Sequence, residues 1–321
     1  MKLIGYNPGK KCGFTIVELL TVMSIIILLI GLLVPALNRV RRYATRVKQK
    51  AQFHAMSVAL EQFNAEYDGY PDSNAFDDDP AGRQPYCGSM KLCEAMVGQD
   101  LKGFNPKSRF RYLEINGPTT KYYPIPVPLV TDPPPAYENY NIAGRKMYVQ
   151  LENANAYQLG DIYTAAVLAD ATSGDHGDAA YNPSTFVLCD VYNRVTNIKT
   201  GKKIGMPILY YRAGLTKTAF PVPGAAVAGA SPSYIYDVRD NQNLIEKGLP
   251  WDTSVTGVHP LSRNLGGDPA YPNRFYDMIR DPQIPTQDRP YRQDSYILLS
   301  AGFDGLYGTV DDVFNFAVLG E

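Results

Sequence analysis

The sequence contains few of the residues on which catalysis and metal binding often depend. Its 321 residues include three histidines and four cysteines, and these show no zinc-ligand spacing. The sequence also lacks a P-loop, a dinucleotide-binding glycine fingerprint and a Gly-x-Ser-x-Gly nucleophile motif. These absences exclude the enzyme classes that carry those motifs, and we expect the protein not to be an enzyme.

A strong charge imbalance is also missing. The chain has 31 Lys and Arg against 32 Asp and Glu, for a formal net charge of −1. Proteins that bind nucleic acids are usually basic, so we expect no nucleic-acid partner. The chain is 45% hydrophobic, which is too apolar for a disordered protein, and it is long enough to bury a sizeable core.

The apolar residues are concentrated in a run at positions 14–37, in which Glu18 is the single charged residue. As a helix these residues would extend about 36 Å, more than the roughly 30 Å hydrocarbon core of a bilayer. A buried core helix seldom stays apolar on every side for so many turns. We therefore expect a membrane-spanning helix, weakened near its end because Pro35 removes one backbone hydrogen bond.

The residues before this run identify the kind of segment. An ordinary secretory signal has a shorter apolar run followed by an Ala-x-Ala site, and no such site follows here. A lipoprotein signal has its cysteine after the run, whereas Cys12 comes before it. The remaining arrangement, KKCGFTIVELL at residues 10–20, closely resembles the class III signal of type IV pilins and type II secretion pseudopilins.

This resemblance implies processing and assembly. A prepilin peptidase would cut between Gly13 and Phe14 and methylate the new amine of Phe14. Pro35 matches a proline often found late in the apolar segment of the family. Implied partners are further copies of this chain, other pilin-like subunits, the peptidase, an inner-membrane secretion or assembly platform, and the lipid bilayer.

Glu18 matches the acidic residue of the family near the mature N-terminus. A carboxylate in hydrocarbon costs about 3 kcal/mol, so it is usually paired or functional. In a filament, the positive amine of a neighbouring subunit would pair with it and set the axial register. The alternative is a side chain that lies near the membrane surface and reaches water.

The charges on the two sides of the span disagree with the signal about orientation. Residues 39–50 contain six Lys and Arg and no acid, against three lysines in residues 1–13. Positive charge alone would place residues 39–50 in the cytoplasm. The signal instead requires a cytoplasmic leader at 1–13. We predict a single-pass protein of the bacterial inner membrane, with its C-terminal head in the periplasm, or outside the cell when assembled in a filament.

Residues 38–70 are predicted to continue the helix as an amphipathic segment. Gly69 and Pro71 then provide a helix stop after residue 67, in a stretch that also resembles the major pseudopilins. The positions stepping by three or four are Val40, Ala44, Val47, Ala51, Ala55, Val58 and Gln62, with Tyr43, Phe53, Leu60 and Phe63 beside them.

Residues 71–321 are predicted to form a globular head. Apolar runs predict strands at 147–151, 162–168, 185–191, 208–211, 234–238, 296–299 and 314–319. The predicted fold class is α+β: a long N-terminal membrane-spanning helix packed on a C-terminal antiparallel β-sheet head with large insertions, as in pilins.

The last two predicted strands flank a loop rich in glycine and aspartate, which resembles the C-terminal calcium loop of major pseudopilins. Calcium takes six to eight oxygens from carboxylates and backbone carbonyls. Asp304 matches the first acid of that loop, and Asp311 or Asp312 the second. We predict a structural Ca²⁺ site, with further oxygens near Leu299, Gly302 and Val313. The alternative is a polar hairpin that binds no metal.

Cys87 and Cys93 are close in sequence and could form a disulfide in an oxidising periplasm. Cys189 lies in an apolar run and is predicted to be a buried thiol.

Together these features predict a structural subunit of a type II secretion pseudopilus or a type IV pilus-like filament. The alternative is a membrane-anchored periplasmic enzyme or ligand-binding domain that uses the helix only as an anchor.

Overall fold

The computed structural model describes residues 13–75, 86–111, 115–116, 120–121, 123, 144–169, 181–222, 233–252, 259–262, 273–283 and 287–317. Residues 1–12 of the expected leader lie outside the described residues, as do the last residues of the strand predicted at 314–319. The chain divides into two compact units, Met1–Thr45 and Arg46–Glu321.

Helices and strands are both present along the chain. The helices are α1 (Ile16–Tyr67), α2 (Gly88–Val97), α3 (Leu151–Ala154), α4 (Leu159–Ile162), α5 (Ala165–Ala169), α6 (Gln242–Ile245) and α7 (Asn273–Ile279), with a 3-10 helix at Val238–Asn241. The strands are β1 (Ile115–Asn116), β2 (Thr120–Lys121), β3 (Ala156–Gln158), β4 (Phe186–Leu188), β5 (Val195–Thr196), β6 (Lys203–Ile204), β7 (Leu209–Arg212), β8 (Tyr296–Ser300) and β9 (Val313–Phe314). Among the described residues these strands pair in small antiparallel sheets. The α+β prediction with a long apolar N-terminal helix is confirmed.

In the first unit, α1 exposes apolar side chains on every side. The large apolar side chains of residues 14–37 are all exposed, and the helix runs through Pro35. Of the helices in the described ranges, α1 is the one with the length and hydropathy to cross a membrane. A single helix able to span a membrane near the N-terminus is therefore confirmed.

In the second unit, α1 packs through a different stripe from the predicted one. Val47 and Val58 are 49% and 45% exposed, and Ala51 is exposed as well, so the positions predicted to step along the buried face are wrong. The residues predicted beside them, Phe53, Leu60 and Phe63, are buried. The side chains that are buried share one helical face with steps of one, three and four residues. They are Gln49, Gln52, Phe53, Met56, Ala59, Leu60 and Phe63.

Hydrogen bonds of two glutamines explain why the buried face of α1 differs from the predicted one. The Gln49 side-chain oxygen accepts a hydrogen bond from the Val191 N–H at 3.0 Å. The Gln52 amide donates to the Cys189 carbonyl at 2.9 Å. Hydrophobicity assigns glutamine to solvent, but these partners allow both to be buried on the head.

A three-stranded sheet, in the order β7-β8-β9, lies between two cores of the second unit. Leu209 pairs with Leu299, which in turn pairs with Phe314. Because side chains alternate across a strand, these residues face one core, whereas Tyr210 and Leu298 face the other. The buried face of α1 completes this second core.

The outer edge of β7 is covered by side chains. The Arg212 N–H donates to the Ser73 hydroxyl at 2.9 Å, and the Asn241 amide donates to the Tyr210 carbonyl at 2.8 Å. These contacts satisfy edge groups that could otherwise pair with another chain. They also bring the segment after α1 and the 3-10 helix to the same end of β7.

The strand predictions were correct in part. β4, β7 and β8 confirm the runs at 185–191, 208–211 and 296–299. β9 shares only Phe314 with the run at 314–319, and residues 315–317 lie outside any strand, so that prediction is wrong over its described part after Phe314. The runs at 162–168 and 147–151 are wrong, since the first lies in α4 and α5 and the second leads into α3. The run at 234–238 is also wrong, since it forms one bridge and then enters the 3-10 helix. Short buried helices and buried strands have the same apolar pattern.

The predicted disulfide is absent. Cys87 and Cys93 are both free and buried. Cys87 precedes α2 and packs in the first core, whereas Cys93 packs in the second. Six residues along a helix correspond to about 240° of rotation beyond a full turn, so the two side chains point to different faces. Cys189 is a buried thiol, as predicted.

Candidate functional site

The start of α1 is closed by hydrogen bonds between Thr15 and Glu18. The Thr15 N–H and hydroxyl donate to Glu18 Oε2 at 2.9 and 2.7 Å. The Glu18 N–H donates back to the Thr15 hydroxyl at 3.2 Å. This reciprocal arrangement is a capping box, which satisfies N–H groups that a helix start leaves without intrahelical partners. Thr15 was not among the predicted site residues, although Thr-x-x-Glu before an apolar run is the signature of this cap.

Glu18 retains one carboxylate oxygen for another partner. Both bonds to its side chain reach Oε2, and Oε1 accepts none from the described residues. Gly13, Phe14 and Glu18 are all exposed at this end of the helix. The structure therefore places the predicted processing and pairing residues together, whereas Pro35 lies about five turns farther along α1.

The loop between β8 and β9 folds back on itself. Gly302 has a left-handed φ of 64°, which a residue with a side chain adopts with difficulty. A Cβ at Gly302 would lie 2.2 Å from the Asp311 carbonyl oxygen, so the two sides of the loop approach too closely for a side chain. Leu299 and Val313 occupy the flanking strands.

This approach brings Asp304 and Asp311 together. The Asp304 N–H donates to Asp311 Oδ2 at 3.0 Å, and the Thr309 hydroxyl donates to Asp311 Oδ1 at 2.6 Å. Burial and the neighbouring Asp311 raise the pKa of Asp304. Burial also acts to raise the pKa of Asp311, but the bonds from Thr309 and Asp304 outweigh it, so that pKa is lowered. The pair therefore favours sharing one proton or a cation.

Asp312 is the most buried acid of the loop. Its Oδ2 accepts a hydrogen bond from the Gly308 N–H at 2.7 Å. Its Oδ1 is buried and accepts no hydrogen bond from the described residues. Burial raises the pKa of Asp312 well above its usual range, and the charges of Asp311 and Asp304 act in the same direction. An orphaned buried acceptor of this kind fits a nearby cation.

The loop as it stands is not a closed metal centre. Across the described parts of the chain, no three or more Asp, Glu, His or Cys side chains converge on one point that could hold a metal ion. The Asp304–Asp311 pair and the orphaned oxygen of Asp312 nevertheless suit the oxygen ligands that Ca²⁺ takes. Calcium binding, with oxygens from Leu299, Gly302 and Val313, stays a prediction.

A further acid next to this loop was missed. Asp190 is buried and accepts hydrogen bonds from the Ser300 hydroxyl at 2.8 Å and the Met206 N–H at 3.1 Å. Burial raises the pKa of Asp190 to about 7, although those bonds oppose the shift. The sequence does carry one signal for Asp190, which directly follows the apolar run at 186–189. An acid that is buried with such a run needs hydrogen-bond or charged partners.

No protein-family model, no curated protein and no solved structure matches the chain.

Proposed function

We propose that the chain is a structural subunit of a type II secretion pseudopilus or type IV pilus-like filament, processed after Gly13 and methylated at Phe14. The observation that carries this proposal is that the part of α1 in the first unit exposes apolar side chains on every side. Apolar surface in water costs about 25 cal/mol per Å², so lipid or neighbouring helices must cover it. Copies of the same helix, in the inner membrane and then in the filament, provide that cover.

The free oxygen of Glu18 supports a contact between subunits. The capping box occupies Oε2, and Oε1 can accept a bond from the positive amine of a neighbouring Phe14. In an apolar bundle such a pair has few competing partners, so it would fix the axial position of an incoming subunit. The head, on the C-terminal side of α1, would then lie in the periplasm.

The buried glutamines suggest how the head follows the helix. Gln49 and Gln52 bond α1 directly to backbone groups of the head. Because α1 is one continuous helix to Tyr67, displacement along the filament axis would carry the head with it. Ca²⁺ at Asp304 and Asp311 would supply charge neutralisation and loop stability rather than chemistry.

The two roles of Glu18 can be separated by two variants. Glu18→Gln removes the charge but retains an acceptor at the third helical position, where glutamine also serves in capping boxes. Thr15→Ala removes the cap but retains the charge, at a cost of about 1 kcal/mol to the helix start. We expect Glu18→Gln to insert into the membrane with a folded head yet yield no filaments. Thr15→Ala should assemble close to the parent level.

Filament yield by electron microscopy, with membrane content as the control, decides between them. Normal filament yield from Glu18→Gln would remove the register role. Equal losses from both variants would show that assembly depends on the cap as well as on the charge, and would contradict a role for the charge alone. Intact mass and N-terminal analysis of the native protein test the processing step, since the proposal requires a chain that starts at methylated Phe14.

The alternative, a membrane-anchored ligand-binding or enzymatic head, makes the opposite prediction for processing and assembly. It requires a ligand site in the head, and the second unit does contain a cavity with charged residues in its lining.

A further inference from the structure

The second unit contains an open cavity of about 660 Å³ with both charged and apolar residues in its lining, which we call the head cavity. Three segments form it: the chain after α1, the end of β7 with its following loop, and the start of the 3-10 helix. The volume lies in the range of sites that bind small molecules. Its charged lining residues are Asp72, Asp237, Asp240, Arg212, Lys217 and Arg239.

Two of the three acids are neutralised by ion pairs. Asp72 bonds to Lys91 at 2.7 Å, and the Lys91 side chain is completely buried. Asp237 forms a forked pair with Arg239, through Nη2 at 2.8 Å and Nε at 3.0 Å. Buried or forked pairs of this kind hold their partners firmly, so neither acid presents a free negative charge to the cavity.

The third acid, Asp240, is held towards its neutral form by burial. Asp240 is 4% exposed, and its carboxyl accepts a hydrogen bond from the Ser73 hydroxyl. Burial raises the pKa of Asp240 to about 8, with Asp237 and Asp72 adding to the rise and Ser73 and Lys91 opposing it. A protonated Asp240 contributes no charge to the cavity.

Two cations of the cavity are left without an ion pair. Neither the Arg212 guanidinium nor the Lys217 ammonium lies within 4.0 Å of a carboxylate of the described residues. Arg212 uses its backbone N–H, not its side chain, to bond Ser73. Among the described lining residues, the charge that remains without an ion pair is therefore positive, although the six formal charges sum to zero.

We propose that the head cavity binds a small polar molecule through a carboxylate or phosphate group held by Arg212 and Lys217. Both groups are oxyanions that arginine and lysine bind with charge-assisted hydrogen bonds. The Asp72 side chain is 39% exposed, so its second carboxylate oxygen can accept a bond from a hydroxyl or amine of the same ligand. The residues that line the cavity all belong to the second unit, so the proposal can be tested on protein that has not assembled into filaments.

Isothermal titration calorimetry on the full-length protein in detergent tests the proposal. The probes are inorganic phosphate, glycerol 3-phosphate and lactate, with glycerol as the uncharged control. We expect saturable binding of at least one anion and none of glycerol. Preference for glycerol 3-phosphate or for lactate identifies the phosphate or the carboxylate as the natural group.

Matched variants locate the site. Arg212→Gln and Lys217→Gln should each weaken binding about tenfold, in line with the loss of one charge-assisted bond. Lys202→Gln removes an exposed lysine outside the cavity and should leave the affinity unchanged. Lys217 lies in a loop beside exposed residues, so its variant remains informative if Arg212→Gln fails to fold.

Three results would overturn the proposal. They are the absence of saturable binding by all three anions, an unchanged affinity in Lys217→Gln, and an equal loss in Lys202→Gln.

Discussion

Replacing Asp240 with asparagine perturbs the charge balance of the head cavity in a predictable way. Asparagine has nearly the same shape and keeps an acceptor for the Ser73 hydroxyl, but it cannot ionise. In the folded protein the pKa of Asp240 is about 8, against an ordinary value of 3.8. Burial is the main cause, because a carboxylate without water is unfavourable.

The direction of the pH effect follows from this shift. Between pH 4 and pH 8 the folded state holds a proton on Asp240 that the unfolded state has released. The contribution of Asp240 to the free energy of unfolding is therefore greatest at low pH and falls by about 1.4 kcal/mol per pH unit as pH rises towards 8. From pH 6 to pH 8 the loss amounts to about 2 kcal/mol, because Asp240 is half ionised at the upper limit. For a unit of this size the loss lowers Tm by about 5 °C.

Thermal unfolding of the full-length protein in detergent, followed by the fluorescence of Trp251, measures the effect. Trp251 is the one tryptophan of the chain and stacks under the Arg194 guanidinium at 4.9 Å, so its emission reports on the head. Between pH 6 and pH 8 the Tm of wild type should fall by about 5 °C more than the Tm of Asp240→Asn. Asp277→Asn, which changes an exposed acid, should follow wild type. Parallel curves for wild type and Asp240→Asn would refute the assignment of a protonated Asp240.

The loop between β8 and β9 supports two further predictions. Gly302→Ala and Gly201→Ala both place alanine in a left-handed conformation, which costs about 1 kcal/mol of stability. Only at Gly302 would the new Cβ also meet backbone atoms, and this clash adds about 1–3 kcal/mol. Denaturant unfolding should show the larger loss for Gly302→Ala, and equal losses would contradict the close approach to Asp311. Calcium should raise the Tm of the parent protein relative to chelator and raise that of Asp304→Asn much less. Identical parent melting temperatures with calcium and with chelator would remove the metal site.

Features that depend on neighbouring residues could be predicted from the sequence. The span at 14–37 follows from one apolar run of sufficient length, and the end of α1 at Tyr67 follows from Gly69 and Pro71. The cap by Thr15 was equally local and could have been found from its spacing to Glu18.

Features that depend on partners distant in sequence could not be predicted from the sequence. Gln49 and Gln52 are buried because backbone groups about 140 residues away accept or donate their hydrogen bonds. Cys87 and Cys93 look like a pair in the sequence, but α2 turns their side chains towards different cores.

Local chemistry along the chain thus decided which segment can enter a membrane, where its helix begins and ends, and which loop gathers the acids. Tertiary structure decided which face of α1 is buried and which charges remain unpaired. The reason is that hydropathy and helix capping depend on residues close in sequence. Burial and charge compensation depend on residues that are distant in sequence and become neighbours only in the folded protein. In the head cavity Asp72, Arg212 and Asp240 come from three separate segments. Their charges can influence one another only after the sheet has formed and the segments that cover the edge of β7 have packed against it.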